Sequence, residues 1–192
     1  MAHVQSGDKP ANGLMERITT PREGSRSGAW PPEPGIPAPL RLHETLVKPE
    51  WADYNDHMSE SVYLLVFGDS ADAFFRFFGI DEDYRASGLS LFTVETHLRN
   101  LREAHTGDRL RLTLQVLGLD AKRLHILHEM LDDADRVLST AEQLLLHVDT
   151  EAGRVAPFPD EILGRLRQIR AAHEALPVPA YVGRVIQIPG ER

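Results

Sequence analysis

The chain has 192 residues, 42% hydrophobic and 26% charged, which suits one soluble domain with a real core and leaves little room for two. A net charge of −8 argues against nucleic acid as a partner, because phosphate binding needs a basic face. The absence of cysteine excludes disulfides, thiolate metal sites and a cysteine nucleophile.

Residues 1–38 are rich in Gly, Pro, Ser and Arg and lack apolar periodicity, so they read as a flexible tail in which Trp30 or the prolines are the possible anchors. No run reaches the ~18 apolar residues of a membrane helix, and the N-terminus has no basic start followed by an apolar run. The expectation is a cytoplasmic protein with no membrane partner. From Leu40, "LRLHETLV" alternates as a strand should, and Pro49 ends it. The polar loop "WADYNDHM" follows, and then "SESVYLLVFGDSADAFFRFFGI" carries apolar residues at helical spacing around most of its circumference. Asp69, Asp72 and Arg76 leave it only a thin polar stripe, Ser59 or Ser61 can cap its start, and Gly79 suits its end. Such a helix needs wrapping on nearly every side.

Four strand candidates come next: "LFTVETHLRNL", "RLRLTLQVLGL", "KRLHILHEML" and "VLSTAEQLLLHV", the last two joined by the turn "DDAD". Residues from Asp160 to about Ala175 read as an amphipathic surface helix, and residues 177–192 as a loosely structured tail. One strand, a buried helix and four strands in a meander define an α+β fold, with an antiparallel sheet wrapped around the helix in residues 39–176.

With this order of elements, "PEWADYNDHMSESVYLLVF" resembles the hot-dog fold thioesterases of the 4-hydroxybenzoyl-CoA type, whose motif is similar to D-x-N-G-H-x-N. The longer string "PEWADYNDHM", together with "YLLVF", "RLHILHEM" and "LLLHVD", looks most like the members that cleave betainyl-CoA in carnitine breakdown. The resemblance spans roughly residues 40–158. It implies hydrolysis of an acyl-CoA thioester with no cofactor, and a homodimer or dimer of dimers with the site at the interface. It makes Asp53 the catalytic carboxylate, with Asn55 and His57 as its motif partners and Tyr63 as an aromatic in the first helical turn. Asp56 stands where the motif has glycine, and Ser59 where it has a second asparagine. The alternatives are a hot-dog thioesterase for another short-chain or aromatic acyl group, and a non-catalytic acyl-CoA-binding protein.

The residues themselves allow this chemistry. Thioester hydrolysis needs a carboxylate and donors for an oxyanion, and a helix N-terminus supplies unpaired N–H groups and partial positive charge. Asp53 or Asn55 capping the helix or holding the turn is the bland alternative, as is a structural His57. Trp51, Tyr54, Glu60, Tyr63 and Glu95 are the candidate substrate contacts. The aromatic faces of Trp51 and Tyr54 beside Asp53 suit a quaternary ammonium, although both rings serve equally for packing. Arg99, Arg102, Lys122 and Arg123 are the candidate cations for the CoA phosphates, or else a solvated charged face. His125 and His128 fall on opposite faces of a strand, so no metal is expected.

Overall fold

The computed structural model describes residues 27–31 and 35–188. The expected tails at 1–26, 32–34 and 189–192 lie outside the described residues. Strand β1 (Leu40–Leu46) leads through a short turn of 3-10 helix, Pro49–Trp51, to the long helix α1 (Glu60–Phe78). A five-residue helix α2 (Glu82–Ala86) precedes β2 (Leu89–Asn100), β3 (Arg109–Leu119), β4 (Arg123–Leu131) and β5 (Val137–Asp149). The two-residue β6 (Arg154–Val155) and helix α3 (Asp160–Ala172) complete the order.

All pairings are antiparallel, and the sheet runs β1-β3-β4-β5-β2, with β6 beside β5. The expected four-strand meander is therefore only partly right. β3, β4 and β5 form one, whereas β2 pairs with β5 at the far edge and the chain crosses back to β3 through residues 101–108. Alternation along a strand assigns its two faces and says nothing about its neighbour, so this crossing was not legible. It proves decisive for the site.

The sheet curls over α1. Phe67, Phe74 and Phe78 are fully buried, and each such side chain contributes about 1.5–3 kcal/mol through apolar area removed from water. One core cluster gathers the C-terminal half of α1 with the inner faces of β3, β4 and β5 and with Ile162, Leu166 and Ile169 of α3. A second cluster at the N-terminal half joins Trp51, Met58, Tyr63 and Phe67 to Leu110, Leu112 and Leu138. Gly79 ends α1 at φ 112, a left-handed conformation in which a Cβ would meet the Arg165 guanidinium at 2.5 Å.

The polar stripe of α1 is not on the surface. Asp69, Ser70 and Arg76 are buried beneath the curled sheet, where Arg76 pairs with Asp72 and Ser70 Oγ lies 3.2 Å from Nδ1 of the fully buried His128. Burial drives His128 down to about 3, and burial together with the Arg76 charge drives His43 down to about 4, so both imidazoles are neutral inside the fold.

Both tails are pinned where they are described. Ser27 donates from its N–H and its hydroxyl to Asp81, and Trp30 stacks on Phe77 with ring centroids 5.4 Å apart while donating to Gln168. Tyr181 donates to Glu129, and the Gly183 N–H donates to Glu142 at 2.8 Å. Polar and aromatic groups of α1, α3, β4, β5 and the start of α2 hold these segments, which composition alone assigned to loose tails.

Candidate active site

The loop between β1 and α1 is built by its own backbone. Asp53 Oδ1 accepts from the Asn55 N–H at 2.7 Å and from the His57 N–H at 3.3 Å, while the Asp53 N–H donates to the His57 carbonyl at 2.8 Å. The turn requires a left-handed residue, and Asp56 takes that conformation at φ 60. Asp is among the few non-glycine residues that tolerate it. The left-handed turn that glycine adopts most readily is thus formed here by Asp56.

The crossing connection fixes this loop from below. Met58 N–H donates to the Ala104 carbonyl at 2.7 Å, His57 bridges His105, and the Gly107 N–H donates to the Val47 carbonyl at 2.8 Å. Ser59 then occupies the N-cap of α1 without using its side chain. Its carbonyl takes the Val62 N–H, while the N–H groups of Glu60 and Ser61 have no acceptor among the described residues.

Between loop, helix start and crossing connection lies an open cleft of about 600 Å³, lined by Asp53, His57, Met58, Glu60, Tyr63, Asn100, Leu101, Arg102 and Glu103. Only Oδ1 of Asp53 is engaged by the turn, and no described residue bonds Oδ2. One oxygen is therefore local scaffolding and the other is available to the cleft. Tyr63 Oη donates to the Arg102 carbonyl at 3.4 Å, and burial raises its pKa, so the phenol stays neutral. The charge balance is acidic, with Asp53, Glu60 and Glu103 facing Arg102.

The cleft brings together Asp53, His57, Glu60, Tyr63 and Arg102. Asn55 is at its edge, exposed, and serves the turn through its N–H. Trp51 is a correction: it is buried in the second core cluster, with the Lys48 ammonium 5.5 Å from its ring centroid, because the apolar start of α1 needs that surface covered. Tyr54 is 96% exposed and touches no cleft group within the chain. Glu95 and Arg99 sit on the edge strand β2, Glu95 in a shallow hollow with His125 and Glu142, and Arg99 beside the Tyr181 ring. Lys122 and Arg123 lie away from the cleft of their own chain. Lys122 precedes β4 and Arg123 begins it, roughly 25 Å of strand from the Leu131 end that neighbours the cleft, and Arg123 pairs with Asp120. Sequence reasoning missed Asn100, at the end of β2, and Leu101 and Glu103, in the aperiodic crossing; only the alternate spacing of Glu103 and His105 hinted at a shared face.

A curled antiparallel sheet around one helix, with a carboxylate loop at the amino end of that helix, defines the hot-dog thioesterase class. The thioesterase-like superfamily matches residues 47–166, and the chain belongs to it. A Pseudomonas aeruginosa protein named betainyl-CoA thioesterase is 48% identical over 155 residues, covering 80% of this chain and 98% of its own. A Rhizobium protein named L-carnitine dehydrogenase/betainyl-CoA thioesterase is 45% identical over 77% of this chain, which spans only 30% of that longer protein. Among solved structures, a Staphylococcus aureus protein in complex with CoA superposes with a TM-score of 0.74 at 25% identity, covering 79% of this chain and 98% of its own. No described helix is long and apolar enough to cross a membrane.

Proposed function

We propose that this chain hydrolyses betainyl-CoA to betaine and CoA, in the cytoplasm and without a cofactor, with Asp53 as the reactive carboxylate. The observation that carries the reading is the division of labour at Asp53. Oδ1 is held by two backbone N–H groups, which leaves Oδ2 without a protein partner in a side chain that lines the cleft at the amino end of α1. A thioester carbonyl placed there meets the Glu60 and Ser61 amides, which stabilise the oxyanion that forms as the carbon–sulfur bond is attacked.

The acyl group follows from charge. Three carboxylates and a neutral phenol suit a quaternary ammonium head, where Coulomb attraction and a cation–π contact worth about 0.5–2 kcal/mol act together. Arg102 is the cation nearest to hand for the CoA phosphates. Glu95, Arg99, Lys122 and Arg123 reach the reaction only through a second subunit. Strand β2 offers the means: it is one of the two edges of the sheet and carries the exposed Phe92 and Val94 beside a bulge. The active form is therefore a homodimer or a dimer of dimers.

The test is thiol release from betainyl-, acetyl-, butyryl- and benzoyl-CoA, run on protein whose solution mass is measured alongside. The expected result is a preference for betainyl-CoA. In Asp53→Asn, turnover falls by about 10²–10⁴ with unchanged thermal stability. Preference for a neutral acyl group would overturn the substrate assignment, and full activity of the variant would overturn the mechanism.

A further inference from the structure

Three donors collect at the mouth of the cleft, two of them, His57 and Glu103, in its lining and the third, His105, beside it. His57 and His105 face each other across an isolated antiparallel bridge, which sets two side chains on one side of the ribbon. Glu103 precedes His105 by two residues, and alternate residues of an extended segment share a face. One donor atom from each of the three lies within 4.8 Å of the others. His57 Nε2 is 3.4 Å from Glu103 Oε2, and the two imidazoles meet edge-on with centroids 5.0 Å apart.

Two imidazoles and one carboxylate are a donor set that holds zinc with a fourth position open. Ligand atoms about 2.0–2.2 Å from a tetrahedral ion stand roughly 3.3–3.6 Å apart, so the cluster needs only small side-chain rotations to close on one. The side chains of Glu103 and His105 are 67% and 51% exposed, and free to make them. Asp108 supplies outer support. Its Oδ2 accepts from the His105 N–H at 2.8 Å and lies 3.7 Å from His105 Nδ1, where a carboxylate orients a ligand imidazole and leaves Nε2 to bind.

We propose that His57, Glu103 and His105 form a zinc-binding site at the entrance of the Asp53 cleft. This replaces the expectation of no metal, which weighed only His125 and His128. Zinc here puts a dication beside Asp53, where a cationic acyl head must pass, so occupancy inhibits turnover. That consequence rests on the hydrolase reading above; the binding itself does not.

The experiment uses the full untagged chain, stripped with chelator and titrated with zinc against a chromophoric chelator, with cobalt absorption reporting coordination. The expected result is one ion per chain. His105→Ala and Glu103→Gln each weaken binding by at least about tenfold, Asp108→Asn weakens it less, and His125→Ala leaves it unchanged. Both ligand substitutions are at exposed positions, and circular dichroism checks their fold. Failure of the wild-type chain to bind stoichiometrically would leave only a metal-free His57–Glu103 contact, and undiminished binding by either ligand variant would put the ion elsewhere; either result overturns the proposal. Zinc should slow thiol release by the wild type and leave His105→Ala unaffected. Binding without inhibition would retain the site and remove its link to the reaction.

Discussion

Asp53 works as two groups in one side chain. Its engaged oxygen closes the turn, and removing it frees the amides of Asn55 and His57, so substitutions that keep this acceptor separate scaffold from chemistry. Asn does so through Oδ1, which makes Asp53→Asn more informative than Asp53→Ala. Asp56 is the second residue on which the loop depends. At φ 60 it occupies a region where an L side chain costs on the order of 1 kcal/mol relative to glycine, less for Asp than for bulkier residues. Asp56→Gly should therefore leave thiol release within a few fold of wild type and change stability by no more than about 1 kcal/mol, upward if relief of strain exceeds the added freedom of the unfolded chain. A denaturant titration measures the change. Loss of more than this would mean that the Asp56 side chain holds the loop.

At the level of elements, the outline of the fold was written in local pattern. α1 declared itself through apolar residues on nearly every side, and β3, β4 and β5 through clean alternation and short turns. The pairing of β2 with β5 was not legible, because it depends on partners distant in sequence. The cleft inherits that limit: Asp53, His57, Glu60 and Tyr63 came from the motif and the helix start, whereas Asn100 is placed by the pairing of β2 with β5, and Leu101 and Glu103 by the crossing that follows it. The burial of Trp51 and of the stripe of Asp69 and Arg76 was not legible, for one reason. The sheet curls further around α1 than periodicity can tell, and covers polar and aromatic groups alike. The end of α1 gives a sharp test. Gly79→Ala forces a Cβ into the left-handed region and against Arg165, which donates to the Phe78 carbonyl at 3.2 Å. A loss of about 1–2 kcal/mol is expected, read as a lower Tm. An unchanged Tm would show that the helix end re-forms without its left-handed residue.

The molecule as a whole should respond to acid through its buried imidazoles. His128 and His43 titrate near 3 and 4 in the folded chain and near 6.5 when unfolded. Between those limits the unfolded chain binds more protons, so stability is fully present above about pH 6.5 and falls as the pH drops toward 4. Two such groups give a slope on the order of 2 kcal/mol per pH unit near pH 5. Denaturant midpoints at pH 7, 6 and 5 measure it, and His128→Gln should flatten the curve. A flat profile in the unsubstituted chain would mean that these rings are reached by water.

The two indoles of the chain stand at opposite ends of α1, Trp30 against Phe77 and Trp51 in the cluster beneath the polar loop. Intrinsic emission is therefore a two-channel reporter. Trp30→Phe leaves a single indole a few residues from Asp53, in dry surroundings, whose spectrum follows ligand or ion arriving at that end without any label.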